Sequence, residues 1–174
     1  MKKLILSLFV LGIIFWSCKK SSDGAVLNLS AQWQLDFNGN LIKGVSDPND
    51  KQWQNQSLST SEMGLFESLD TADLAGTSKP SSVSSSTFYP NPFTTQALLY
   101  IRFNNGYNGQ VKFKYVVVDK SMHPVQKGTA LLSINQAFFH LFPDFPSGYY
   151  RIYFTLSSQG DGNFYTSWGN IQQT

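Results

Sequence analysis

The chain has 174 residues, of which 15% are aromatic and 14% are charged, and its formal charge is +2. Its 13 Lys and Arg residues are almost balanced by 11 Asp and Glu residues, and no clustered basic excess suggests nucleic-acid binding. This length accommodates one ordinary domain, or a small domain with an accessory segment.

The first 17 residues have the pattern of a signal peptide. Lys2 and Lys3 precede an uncharged and almost wholly apolar run from Leu4 to Trp16. That run is too short to cross a bilayer, which takes about 20 apolar residues. We therefore predict that residues 1–17 are removed, which leaves 11 basic and 11 acidic residues in the mature chain.

The single cysteine, Cys18, directly follows this segment. The stretch Phe15-Trp16-Ser17-Cys18 resembles the lipobox of bacterial lipoproteins, in which cleavage falls just before a cysteine that is then acylated. The resemblance implies lipidation of Cys18 and a stable membrane anchor, because two or more acyl chains hold where one does not. The alternative is a secreted protein with a free thiol.

Residues 18–30 are predicted to be a flexible tether, since their first residues are Lys, Ser, Asp and Gly, which bury little apolar surface. The pair Lys19-Lys20 differs from the acidic run that resembles a surface-export signal. We therefore expect an outer-membrane location, with the periplasmic face favoured over the cell surface.

Residues 31–76 are predicted to form a hairpin and a short helix. Trp33–Phe37 alternates apolar and polar residues, and Asn38-Gly39 favours a type I′ turn into a second strand at Asn40–Lys43. Leu58 to Leu69 is predicted to be helical, because Ser59 and Glu62 have the spacing of a capping box. Leu65, Phe66 and Leu69 would share the buried side of this helix.

The remainder predicts an all-β fold, an antiparallel Ig-like β-sandwich over residues 88–174. A serine-rich segment at 77–87 is interpreted as a linker before it. Six or seven short strands follow at spacings of eight to twelve residues, which is typical of a sandwich. Val111, Phe113, Tyr115 and Val117 would share one buried face, and so would Tyr150, Ile152, Phe154 and Leu156.

Three stretches carry a family resemblance over about half of the chain: Tyr89-Pro90-Asn91-Pro92-Phe93, Val116–Asp119 and Phe145–Tyr150. They resemble the C-terminal sorting domain of type IX secretion cargo, or a close Ig-like relative. That resemblance implies a sandwich that serves either as a sorting signal or as the working domain. An unrelated β-sandwich remains the alternative, because a fold does not fix a function.

Residues suited to catalysis or to metal binding are few, and we predict no enzyme, no metal and no cofactor. His123 and His140 have no ligand spacing between them, and no Gly-Xaa-Ser-Xaa-Gly elbow occurs. Asp47-Pro48-Asn49-Asp50 could open a calcium loop, but Lys51 stands where an oxygen ligand belongs, so a turn is favoured.

The tripeptide Asp70-Thr71-Ala72 resembles the O-glycosylation sequon of bacteria that carry type IX systems, which implies Thr71 as an acceptor. An aspartic-protease half-site is rejected, since Ala72 replaces the usual glycine and there is no second copy. The other interpretation is that these residues only mark the end of the helix.

Tyrosine and arginine residues alternate on two predicted strands, and they are candidates for a ligand or partner surface. If the strands that carry them are neighbours, one surface would be built from Tyr100, Arg102, Tyr149, Arg151 and Tyr153. The alternative, which we favour, is that acidic residues 31–73 pack over this face.

These patterns together predict a lipid-anchored cell-envelope protein with a non-catalytic binding or assembly role. Its expected partners are a membrane, through Cys18, and an envelope protein or a glycan, with no nucleic acid. A carbohydrate-binding module would use Tyr149, Tyr153, Trp33 or Trp168, and a small hydrolase is a third class.

Overall fold

The structure is a computed structural model that describes residues 26–69, 82–104, 109–133, 136–158 and 161–174. The predicted signal at 1–17, Cys18 with most of the tether, Thr71, and most of the first half of the predicted linker lie outside these residues. Within them, no helix is both long and apolar enough to span a membrane. The tether prediction is wrong for residues 26–30, because Leu29 is buried there and the Leu27 N–H donates to the Lys120 carbonyl oxygen at 2.9 Å.

The described chain forms an all-β antiparallel sandwich, as the sequence predicts. After two short strands of an N-terminal hairpin, β1 (Gln34–Leu35) and β2 (Leu41–Lys43), seven strands build the sandwich: β3 (Val83–Tyr89), β4 (Ala97–Phe103), β5 (Gln110–Val118), β6 (Pro124–Ser133), β7 (Gln136–Leu141), β8 (Gly148–Ser158) and β9 (Asp161–Gln173). One sheet has three strands in the order β3-β4-β7, and the other has four in the order β6-β5-β8-β9. Every pairing within these two sheets is antiparallel.

The core lies between the two sheets and is built by alternate residues of each strand. Both predicted core faces are confirmed, one on β5 and one on β8. The β5 residues Val111, Phe113 and Val117 are fully buried, and the β8 residues Ile152, Phe154 and Leu156 are as well.

A hydrogen bond at the start of β8 is typical of Ig-like sandwiches. The Tyr150 hydroxyl donates to the Pro146 carbonyl oxygen at 2.8 Å. A tyrosine at this corner, bonded to backbone a few residues upstream, is a known feature of that architecture. The stretch Phe145–Tyr150 therefore fixes how the chain enters β8.

The predicted linker at 77–87 is wrong over its second half, because the first sandwich strand is β3, which begins at Val83. Ser86 is buried there, and its hydroxyl donates to the Trp53 carbonyl oxygen at 2.6 Å. Serine has low strand propensity, so the pairing of β3 with β4 and this bond decide the structure instead.

The N-terminal hairpin is confirmed, but its predicted turn type is wrong. Strand β1 (Gln34–Leu35) pairs with β2 (Leu41–Lys43). Gly39 has φ +78°, while Asn38 does not have a positive φ, and the Gly39 N–H donates to the Asp36 carbonyl oxygen. This is a three-residue loop with a type I turn and a left-handed glycine. The Asp36 carboxylate favours it by accepting from the backbone N–H groups of Asn38 and Asn40.

Helix α1 (Thr60–Gly64) is shorter than predicted, although its capping box at Ser59 and Glu62 is confirmed. The chain continues to Leu69 in turns held by bonds between residues three apart. Gly64 is a weak helix former, which explains why regular helix ends there. The predicted buried side is confirmed, since Phe66 is buried with Leu65 and Leu69 packed against the same cluster.

Asn91 joins the hairpin to the last strand and explains the asparagine between the two prolines. It is fully buried. Its Nδ2 donates to the carbonyl oxygens of Trp33 and Asn170, and its Oδ1 accepts from the Gln172 N–H. Its backbone exchanges two hydrogen bonds with Leu35, at 2.9 and 3.0 Å. Every polar group of this side chain is satisfied, as burial requires.

Candidate functional site

The outer face of the four-stranded sheet is covered by the N-terminal segment, residues 26–69. A second apolar cluster forms there around the buried side chains of Phe66, Val116, Val118 and Tyr153. Partly buried side chains complete it: Leu27, Leu58, Leu65, Leu69, Met122 and Trp168. The packing that the sequence offered as an alternative to a ligand surface is therefore what the structure has here.

Arg151 and Tyr153 belong to this internal interface. The Arg151 Nε donates to the Asn170 Oδ1 at 2.9 Å, and its guanidinium lies 3.8 Å from the centroid of the Trp168 ring. Burial raises the pKa of Tyr153 to about 12, although the hydrogen bond and charge of Arg151 act in the opposite direction. The Arg151 Nη2 also donates to the Asn28 carbonyl oxygen at 3.4 Å, so this side chain links the N-terminal segment to the sheet.

The predicted single surface of five Tyr and Arg residues does not form. Tyr100 and Arg102 lie on β4 in the three-stranded sheet, whereas Tyr149, Arg151 and Tyr153 lie on β8 in the other. The alternation of each strand was visible in the sequence, but which strands are neighbours depends on topology. Of the β8 residues, Tyr149 is 50% exposed and lines a crevice with Leu27, Leu29 and Lys120.

The outer face of the three-stranded sheet is open, and we call it the aromatic face. It is formed by outward residues of β3, β4 and β7 and the residue after β7: Tyr89, Leu98, Tyr100, Phe138, His140 and Phe142. The Tyr100 and Phe138 rings stack 5.1 Å apart. Phe138 is 49% exposed and Phe142 is 62% exposed. Arg102 is the one charged side chain among the outward, described residues of these strands.

The hairpin tip extends this surface at one end. Phe37, which is 81% exposed, shares a crevice of about 140 Å³ with Tyr89, Leu98 and His140. Phe138, His140 and Phe142 were not predicted from the sequence to be surface residues. The sequence pattern that indicates such a surface is a strand whose two alternating sets of side chains are both apolar or aromatic. Only one set can point into the core, so the other set must face outward.

A groove of about 500 Å³ opens between the hairpin and the edge strand β3. Trp53 forms its inner part, with its ring stacked parallel on Phe88 at 5.5 Å. The lining is aromatic, apolar or neutral polar: Trp33, Leu35, Leu41, Gln52, Trp53, Gln54, Asn55, Val83, Ser84, Ser85, Ser86, Thr87 and Tyr165. Of these residues, only Trp33 was predicted from the sequence as a candidate for ligand binding.

Trp53 enters the sandwich at the open side between the edge strands β3 and β9. The backbone N–H of Trp53 donates to the Trp168 carbonyl oxygen at 2.8 Å, and the backbone N–H of Gln56 donates to the Thr166 carbonyl oxygen at 2.9 Å. A β carbon on Gly169 would lie 2.0 Å from the Trp53 ring, so only glycine fits there. Residues 52–56 thus cover the edge of β9.

The histidines and the acidic turn lie in separate places within the part of the chain that the structure describes. His123 contacts Asp119 in an exposed turn, with 3.4 Å between Nδ1 and Oδ2, and His140 lies on the aromatic face. The Asp47 carboxylate accepts from the Asn49 N–H in a turn. The sequence favoured a turn over a calcium loop at this position. No three His, Cys, Asp or Glu side chains cluster among these residues.

Two of the four residues named for carbohydrate binding are unsuited to it. Tyr153 is fully buried, and Trp168 is partly buried and packed against Arg151. Tyr149 remains exposed but stands apart from Trp33, which lines the groove.

No protein-family model and no curated protein matches this chain. Two solved structures that resemble it are a glycosyl hydrolase family 2 member from Bacteroides cellulosilyticus and the CARDB domain of a Pyrococcus furiosus protein in complex with di-metal ions. The hydrolase is 17% identical with a TM-score of 0.32, covering 50% of this chain and 14% of the hydrolase. The CARDB domain is 11% identical with a TM-score of 0.30, covering 55% of this chain and 95% of that domain.

Proposed function

We propose that the protein is a non-catalytic binding or assembly protein of the cell envelope, anchored through lipid on Cys18. In this proposal the aromatic face recognises an envelope partner, and the anchor holds it at the outer membrane. The observation that carries the proposal is that one sheet keeps an open aromatic face while the other is covered by the chain's own segment.

The stacked Tyr100 and Phe138 rings favour recognition of an apolar protein surface. Contiguous exposed apolar patches are rare on soluble monomers, and they mark interaction sites where they occur. Aromatic residues and arginine are also the types enriched where binding energy concentrates, and Arg102 lies beside this stack. The tether would let the face reach partners on the same membrane.

The binding role is tested on full-length protein expressed in its own cells. Phe138→Ser and Phe142→Ser should abolish co-purification of a stoichiometric partner from solubilised membranes, while the protein stays folded. Leu131→Ser is the matched control, because Leu131 is 54% exposed but lies on β6 in the other sheet. Equal partner yields from all three variants would rule out the aromatic face.

The anchor is tested separately. Cys18→Ser should move the protein from the membrane fraction to the soluble fraction, and the intact mass of the wild type should show acylation at a chain that begins at Cys18. A protein that still begins at Met1 would refute the proposed anchoring.

A further inference from the structure

We infer that the groove between the hairpin and β3 binds a neutral oligosaccharide. This inference adds a ligand class to the proposed non-catalytic binding role, but it uses a site separate from the aromatic face. The groove volume of about 500 Å³ lies within the range of small-molecule sites, which is roughly 300–1,000 Å³.

The charge of the lining restricts the ligand. None of the 13 described residues that line the groove is Asp, Glu, Lys, Arg or His. An ionic ligand would lose hydration on entry without meeting an opposite charge, which is strongly unfavourable. The chemistry of the groove therefore selects an uncharged molecule.

The polar groups of the lining suit hydroxyl-rich ligands. The exposed Gln54 and Asn55 supply amides and the exposed Ser84 and Ser85 supply hydroxyls, and both kinds of group donate and accept hydrogen bonds. Sugar hydroxyls also do both. The partly buried Trp33 ring provides flat apolar surface against which the C–H face of a pyranose can pack, while the buried rings of Trp53 and Tyr165 line the inner part of the groove.

The aromatic parts of the groove are fixed before any ligand arrives. The Trp33 Nε1 donates to the Asp50 Oδ2 at 2.7 Å, and Trp53 is stacked on Phe88. The Tyr165 hydroxyl donates to the Trp53 carbonyl oxygen at 3.3 Å. A preformed site loses little conformational entropy on binding.

An extended peptide fits the same groove less well. Strand addition needs an uninterrupted row of backbone groups along the edge, and the register of β3 shifts between Val83 and Ser85. Such irregularities at an edge oppose further pairing. The hydroxyl of Ser86, moreover, is already bonded to Trp53.

The test is titration of the folded chain with tetrasaccharides of glucose, xylose, mannose and N-acetylglucosamine. Tetragalacturonate and an alternating Thr-Val peptide serve as anionic and strand-forming competitors. At least one neutral tetrasaccharide should bind and change tryptophan fluorescence. Trp33→Leu and Gln54→Ala should each weaken that binding about tenfold or more. Calorimetry and fluorescence provide the readouts.

Two control variants separate this site from other surfaces. Asn49→Ala removes an exposed amide outside the groove, and Phe138→Leu alters the aromatic face; both should leave sugar affinity within about twofold. The inference is overturned if no neutral sugar binds at about 5 mM, a concentration that would detect even weak affinities. It is equally overturned if the anion or the peptide binds more tightly, or if Trp33→Leu and Gln54→Ala bind normally. Loss of the envelope partner in Phe138→Ser would not affect it.

Discussion

The two outer faces of the sandwich carry similar apolar side chains but differ in what covers them. On the four-stranded sheet, Val116, Val118 and Tyr153 are fully buried beneath the N-terminal segment. On the three-stranded sheet, Phe138 remains half exposed and no described residue outside the sheet covers it. The first face is therefore part of the folded core, whereas the second is available for recognition.

Neutral hydrogen bonds help to hold the N-terminal segment on the covered face. The Asn170 Nδ2 donates to the carbonyl oxygens of Asn28 and Ala31, and its N–H donates to the Gln52 Oε1 at 2.8 Å. Bonds of this kind are little affected by salt, unlike exposed ion pairs. These three bonds should consequently persist over a wide range of ionic strength.

Trp53→Ala should have the largest effect on stability, since it removes the ring that fills the side between β3 and β9. We expect a loss of about 3–5 kcal/mol in the free energy of unfolding, measured by urea denaturation. Gly169→Ala should also destabilise, because its β carbon would overlap the same ring. In the Trp53→Ala background that second change should cost much less. Additive effects would show that the two residues are not in contact.

Paired truncations on the two faces test the comparison directly. Phe66→Ala, in the segment that packs on the covered face, should cost about 3 kcal/mol of unfolding free energy. Phe138→Ala, on the aromatic face, should cost about 1 kcal/mol or less, because its side chain is already half hydrated. Both variants are measured by thermal and by urea unfolding. If Phe66→Ala and Phe138→Ala lowered the unfolding free energy equally, the aromatic face would also be part of the core.

Much of the sandwich was predictable because period-two alternation sets which side of β5 and β8 is buried. The position of β3 was not, since its serines lack an apolar pattern and are ordered by Trp53 and β4. The proposed groove and the aromatic face also could not be predicted from the sequence. Both depend on which strands lie at an edge, and alternation within one strand carries no information about its neighbours.

The alkaline stability of the protein should report on the covered face through Tyr153. Burial raises the pKa of this phenol to about 12 in the folded state, against about 10 when unfolded. Its contribution is thus fully present below pH 10 and is lost as the pH rises, by about 2 kcal/mol at pH 12. Tyr153→Phe should lower stability at pH 7 by about 1 kcal/mol yet flatten this alkaline decline in urea titrations. An unchanged decline would mean that Tyr153 is solvated.

A small effect is expected at the cap of α1, which helps to position the covering segment. Ser59→Ala should cost about 1 kcal/mol, because it removes the side-chain acceptor of the capping box. Burial acts to raise the pKa of Glu62, but the backbone and hydroxyl bonds from Ser59, with Tyr153 and Arg151, hold it below its ordinary value of 4.5. The stability that Glu62 contributes is therefore present above pH 4.5 and is lost as the pH falls through the lowered pKa.

Glu62→Gln should consequently reduce the acid sensitivity of unfolding, and Ser57→Ala, an exposed serine outside the cap, should change neither stability nor its pH profile. Hydrogen exchange would localise the effect of Ser59→Ala to residues around Phe66, because the cap orders only the turn that delivers Phe66 to the sheet. Exchange that instead increased across β3 and β4 would mean that the two faces are coupled. The aromatic face could then not be altered independently of the segment that covers the other sheet.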